Sequence, residues 1–215
     1  MWKHRKNRND KSATDFDYEA WKRKHTAFAD KAVPEWVKVV IERYRTGNTQ
    51  FVCVGYCFGA PYVCDELAKG TVTAGAFAHP AFLKEHHFKK LKSKKHIYPS
   101  LCLVNPAYSC ELYAEPLFLS CSEVDHTFDS PSRRRALDIL QAEKATYHYQ
   151  LFSGVEHGFA LRGNPDDPYE REFTMCREML FYWVALTCWC IGWVKEQSHA
   201  GIVGWFNYWI SQENV

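Results

Sequence analysis

Gly55-Tyr56-Cys57-Phe58-Gly59 sets a cysteine in a glycine-flanked turn, directly after the β-prone run Gln50-Phe51-Val52-Cys53-Val54 and before a helix-like stretch ending near Lys69-Gly70. A small–x–nucleophile–x–small pentapeptide between strand and helix is the pattern of a nucleophile elbow, in which a sharp turn presents the central side chain. Slim neighbours permit the strained backbone that such a turn requires. Serine is the usual occupant. A cysteine at the N-terminal end of a helix offers a thiolate instead, the form that the helix dipole favours. A glycine-rich turn with a buried thiol fits the same five residues, so the pentapeptide has to be read with its partners.

Nucleophilic catalysis at an elbow calls for a carboxylate and a histidine, in the chain order nucleophile, acid, histidine. The apolar run Pro116-Leu117-Phe118-Leu119-Ser120-Cys121 reads as a buried parallel strand and runs into Ser122-Glu123-Val124-Asp125. A carboxylate just past the end of such a strand lies at the ligand-binding edge of a parallel sheet. Ala145-Thr146-Tyr147-His148-Tyr149-Gln150-Leu151-Phe152 is the next strand candidate, followed by Ser153-Gly154-Val155-Glu156-His157-Gly158-Phe159. Order and position then suggest that Cys57 attacks, His157 relays the proton and Asp125 orients the imidazole. Taken singly, Asp125 also fits a helix-capping carboxylate and His157 a satisfied loop histidine.

With these segments in view, the chain resembles the dienelactone hydrolase family of the α/β-hydrolase fold. The matching stretches are Val54 to Gly59, Ala78-His79-Pro80, Ser122 to Asp125, Tyr149 to Ala160, and Arg162-Gly163-Asn164 with the helix that follows; together they span roughly residues 30 to 187. The resemblance implies a mostly parallel sheet flanked by helices. It also implies metal-free and cofactor-free hydrolysis of a small-molecule ester or lactone through an acyl-cysteine, with Cys57, Asp125 and His157 as nucleophile, acid and base. One oxyanion N–H would come from Phe58, the residue after the nucleophile. The family normally places several strands and a helix before the nucleophile strand, with the loop that gives the second oxyanion donor and a glutamate that communicates with the cysteine. Cys57 comes early in this sequence, so the sheet is expected to lack those first strands. A non-enzymatic binding protein that retains the triad is the alternative. Arg162 and His79 are candidate substrate-binding residues, against the plainer readings of a turn arginine and a structural histidine. Segments 92–110 and 188–215 match nothing in the family pattern.

Composition bounds the rest. The chain has 215 residues, 47% of them hydrophobic, and a formal net charge of +2. That is enough chain for one domain with a substantial core, and too little charge to draw it to nucleic acid or membrane. Nine cysteines are scattered along the chain, and several lie in apolar runs (Cys53, Cys121) where they read as reduced thiols, which fits a cytoplasmic setting. The basic start Met1-Trp2-Lys3-His4-Arg5 is followed by no apolar core of a signal peptide. The apolar run from Met179 to Val194 is shorter than the ~20 residues that span a bilayer. Lysines from Lys84 to Lys95 lack the aromatic interleaving of a nucleic-acid surface and read as a solvated stretch. No His/Cys cluster has ligand spacing, so no metal is expected.

The elements that must position the chemistry follow from periodicity and punctuation. Residues 1–14 read as a disordered basic terminus, 15–187 as the α/β domain and 188–215 as an atypical aromatic extension. Tyr18, Trp21, His25 and Phe28 recur at helical spacing, and Pro34 suits the first turn of a second helix that Gly47 ends. Val72 to Ala78 reads as a strand. Ser130-Pro131, a cap followed by proline, starts a helix through Lys144, and Asp166-Asp167-Pro168 introduces the last one. Alternating strands and helices predict a parallel sheet covered by helices.

Overall fold

A computed structural model of the chain describes residues 17–47, 49–91, 116–161 and 192–212. The chain divides between Thr49 and Gln50 into two units, each taken by itself. In the first, α1 runs unbroken from Tyr18 to Tyr44 and is capped by Asp17, whose carboxylate accepts from the Ala20 N–H at 2.9 Å. The two helices expected around Pro34 are therefore one. Proline fixes a helical φ that suits a helix interior as well as a first turn, so its presence does not by itself dictate a break. The cost is one forgone N–H bond and a crowded preceding turn.

In the second unit, β1 (Val52–Tyr56), β2 (Ala74–Ala78), β3 (Leu117–Val124) and β4 (Tyr147–Glu156) form a four-stranded sheet in the order β1-β2-β3-β4, every pair parallel. Parallel neighbours need crossovers. Helix α2 (Ala60–Lys69) supplies the one from β1 to β2, and α4 (Ser130–Ala142) the one from β3 to β4. The short α3 (Glu85–Lys89) follows β2, and α5 (Gly192–Gln212) follows β4. Asp129, one residue ahead of the expected Ser130, caps α4 by accepting from the Ser132 N–H at 2.9 Å, with Pro131 in the first turn.

Side chains alternate across a strand, and here both faces are covered. Phe77, Leu117, Leu119 and Cys121 pack with Val63, Cys64 and Leu67 of α2, Phe88 of α3 and Ala136, Ile139 and Leu140 of α4. Ala76, Ala78, Phe118 and Phe152 face the other way, onto Val194 and Ile202 of α5. That helix sits close. A Cβ on Gly201 would stand 2.7 Å from the Phe118 ring, and the buried Ser198 hydroxyl meets Ser120 Oγ at 2.7 Å. The aromatic stretch predicted as an extension thus contributes Trp205, whose ring lies 5.9 Å from that of Phe118. Among the described residues no helix is long and apolar enough to cross a membrane.

Candidate active site

Each of the four strands ends one residue before a side chain singled out by the sequence. β1 ends at Tyr56 before Cys57, β2 at Ala78 before His79, β3 at Val124 before Asp125 and β4 at Glu156 before His157. Parallel pairing lines up all four C-terminal ends on one edge, where open α/β sheets bind ligands.

Cys57 occupies a left-handed backbone conformation, φ 50°, between β1 and the 3-10 turn Cys57–Gly59 that leads into α2. A non-glycine residue held there is strained, and such strain collects at functional sites. The turn is tight enough that a Cβ on Gly55 would lie 2.6 Å from the Gly59 carbonyl carbon. Gly59 itself has an ordinary φ of −75°, and a Cβ there would meet nothing within 4 Å. Of the two flanking glycines, only Gly55 is demanded by close approach. Phe58 is the second residue of the same turn, so its N–H falls among those that lack an intrahelical acceptor.

Asp125 is buried, 6% exposed, in a loop that saturates its carboxylate with donors. Oδ2 accepts from Ser122 Oγ at 3.2 Å and lies 2.9 Å from His157 Nδ1. Oδ1 accepts from the Thr127 and Phe128 N–H groups at 2.8 and 3.2 Å, with Thr127 Oγ1 at 2.7 Å. Burial opposes the charge, yet the bonds from His157 and Thr127 outweigh it and bring the carboxyl to about 2. Arg133 of α4, 5% exposed, braces this loop from beneath. Its Nη1 donates to the Ser122 and Phe128 carbonyls at 3.1 and 2.7 Å, and its Nη2 to that of Glu123 at 3.2 Å.

A bulge delivers His157. Ser122 pairs with Phe152 but Val124 with Glu156, so β4 carries extra residues there, with Gly154 at φ 69°. Bulges redirect a strand and recur beside active sites. The Glu123 carboxylate fills this one, accepting from Ser153 Oγ and the Gly154 N–H, both at 2.6 Å, and these bonds lower its pKa. The chain then turns back, the His157 N–H donating to Val124 O at 3.2 Å. His157 Nε2 reaches Cys57 Sγ at 3.1 Å. Burial disfavours the imidazolium, but the Asp125 and Cys57 contacts more than offset this and raise His157 to about 9.

The structure thus brings Cys57, His157 and Asp125 together. His79 is 1% exposed and set at φ 36°; its ring meets that of His157 edge-on, with centroids 5.1 Å apart. Arg162 lies outside the described residues. Burial pushes the Cys53 thiol up to about 12, aided by Glu66, and raises Cys64 and Cys121 as well; such thiols are poor nucleophiles. Among the described residues no three or more His, Cys, Asp or Glu side chains converge as metal ligands. Thr127, Glu123 and Arg133 join the site only through the tertiary fold. Only Thr127 leaves a local signal, a carboxylate two residues before the N–H it accepts from, which is the Asx-turn pattern.

Comparison with known proteins bears on the family and the fold. The sequence model of the Dienelactone hydrolase family matches residues 4–108, a stretch that contains the elbow. Dienlactone hydrolase 1 of Gibberella moniliformis is 30% identical over 200 residues, 92% of this chain and 60% of that protein. Dienlactone hydrolase 2 of the same fungus is 26% identical over 203 residues, 94% of this chain and 59% of that protein. The chain therefore spans about three fifths of the length of these curated relatives. A dienelactone hydrolase-like promiscuous phosphotriesterase from metagenomic libraries superposes with a TM-score of 0.52 at 10% identity, over 90% of this chain and 69% of that one, which speaks for the fold alone. These matches bear out the resemblance to the dienelactone hydrolase family.

Proposed function

We propose that this dienelactone hydrolase-like chain cleaves a small-molecule carboxylic ester or lactone through an acyl-cysteine intermediate. The observation that carries the reading is the continuous contact from Cys57 Sγ to His157 Nε2 at 3.1 Å and from His157 Nδ1 to Asp125 Oδ2 at 2.9 Å, with the sulfur on a strained elbow. Either the thiol donates to neutral Nε2 or a protonated Nε2 donates to sulfur. A His157 raised to about 9 favours the second arrangement at neutral pH.

Cys57 sulfur attacks the carbonyl carbon, and the Phe58 N–H donates to the oxygen as it gains charge. When the tetrahedral species collapses, the alkoxide leaves with the Nε2 proton. The imidazole, now neutral and still held by Asp125, takes a proton from water as the water attacks the thioester. Collapse of the second tetrahedral species frees the acid and restores the sulfur. His79, whose ring meets the imidazole edge-on, supports it in this scheme, and Arg162 remains a candidate for a substrate carboxylate.

Single-turnover hydrolysis of p-nitrophenyl acetate and of a small lactone tests the reading, alongside Cys57→Ala and His157→Ala. Turnover that disappears in both variants supports it. No turnover by the unaltered chain, with Cys57 alkylated no faster than a free thiol, overturns it in favour of a non-enzymatic binding protein.

A further inference from the structure

We infer that Thr127 is a positioning residue for this site, its hydroxyl tying the acid, the base and the loop after β2 into one closed circuit. The inference deepens the hydrolase reading and rests on it for the rate it expects. Thr127 Oγ1 has three partners: Asp125 Oδ1 at 2.7 Å, the Pro80 carbonyl at 2.9 Å and His157 Nδ1 at 3.0 Å. Its own N–H is anchored on Asp125 Oδ1 at 2.8 Å, so the hydroxyl is held from the backbone side.

Proton counting assigns the roles. A hydroxyl has one hydrogen to donate and two lone pairs. With Nε2 facing Cys57, the Nδ1 of His157 carries hydrogen in both the neutral and the charged ring. Nδ1 therefore donates, to Asp125 Oδ2 and, in the same fork, to Thr127 Oγ1. The Thr127 hydrogen is left for Asp125 Oδ1 or for Pro80 O, both of which only accept. Directed at Asp125, it stabilises the carboxylate. Directed at Pro80, it grips the loop after β2 and leaves more of the carboxylate's charge for the imidazole.

That second grip leads back to the nucleophile. Ala81, next to Pro80, donates its N–H to the Cys57 carbonyl at 2.9 Å. When the Thr127 hydrogen is directed at Pro80, the path Cys57, Ala81, Pro80, Thr127, His157 and back to Cys57 closes through hydrogen bonds and one peptide link. Aspartate fixes the imidazole at one oxygen only, which leaves rotation about that contact. The Thr127 oxygen supplies a second point, and the Pro80 carbonyl fixes Thr127 in turn.

A side chain that merely braced the loop would affect stability but not the titration of His157. The test therefore follows the His157 ring by NMR as a function of pH in the unaltered chain, Thr127→Ser, Thr127→Val and Thr127→Ala, together with Cys57 alkylation by iodoacetamide and single-turnover ester hydrolysis. The titratable groups that face His157 are Cys57 from the elbow, His79 from the loop after β2, and Asp125 and His126 from the acid loop. None of these is altered by the variants. With the hydrogen on Pro80, loss of the hydroxyl removes an acceptor from the imidazolium, so the His157 midpoint should move down and the acylation rate should fall by about tenfold to a hundredfold, the loss expected for one hydrogen bond to a charged group. Thr127→Ser should restore both. If valine prevents folding, Thr127→Ala, which puts less bulk beside Pro80, carries the comparison. An unchanged His157 titration and alkylation profile in a folded hydroxyl-free variant overturns the inference. Should the unaltered chain fail to hydrolyse ester, the proposed function falls, while the titration and alkylation arms still decide the role of Thr127.

Discussion

Gly55 and Gly59 approach so closely that a Cβ on the first would stand 2.6 Å from the carbonyl carbon and oxygen of the second, and 2.8 Å from Val63 Cγ2. Neither neighbour is the free end of a flexible chain, so the elbow itself would have to open. Gly55→Ala is expected to cost about 1–3 kcal/mol, the range for overpacking a tight site. It should also slow Cys57 alkylation, because the sulfur would leave His157. Gly59→Ala, with nothing near its Cβ and no positive φ, should remain within about 0.5 kcal/mol of the parent. Urea denaturation with paired alkylation rates checks both, and equal costs at the two glycines would contradict the asymmetry.

The Asp125–His157 pair makes a signed prediction. His157 rises from an ordinary 6.5 to about 9, so its contribution to stability is complete below pH 6.5 and lost as pH rises through 9. Asp125 falls from 3.8 to about 2, so its contribution is complete above pH 3.8 and lost as pH falls through 2. The two are jointly complete only between those ordinary values. The difference in thermal midpoint between the unaltered chain and Asp125→Asn should be largest near pH 5 and should shrink toward pH 9. A difference that stays flat over that interval would rule out the charged pair.

Arg133 gives a prediction about the loop rather than the chemistry. Its guanidinium satisfies the Ser122, Glu123 and Phe128 carbonyls from a position only 5% exposed. Arg133→Met keeps the bulk but removes every donor, at a cost of about 1–3 kcal/mol for each carbonyl left dry. Arg133→Lys should recover little, since a single ammonium cannot reproduce the planar fork. Denaturation midpoints measure the cost. A lysine variant as stable as the parent would show that the fork geometry is dispensable.

The features read correctly in the sequence are those governed by short-range rules. The elbow is legible because its steric demand is met within the five residues Gly55 to Gly59 and its direction is set by the strand before and the helix after. The strand around Leu117 is legible because an apolar run buried on both faces leaves little else for it to be, and the one around Tyr149 because its aromatic residues favour extended chain. Pro34 shows where such rules stop: its spacing is compatible with a helix start and with a helix interior, and α1 takes the interior.

By itself, then, the sequence determined which residues stand at strand ends and in what order, since that order is a property of the covalent chain. It could not determine that four strands in the order β1-β2-β3-β4 carry Cys57, His79, Asp125 and His157 along one edge, or that a bulge filled by Glu123 turns His157 onto the sulfur. Nor could it select Thr127 among the hydroxyls, because its partners Pro80 and His157 lie 47 and 30 residues away. Those contacts exist only once parallel pairing has brought remote strand ends within hydrogen-bond reach, and local propensity carries no information about that pairing.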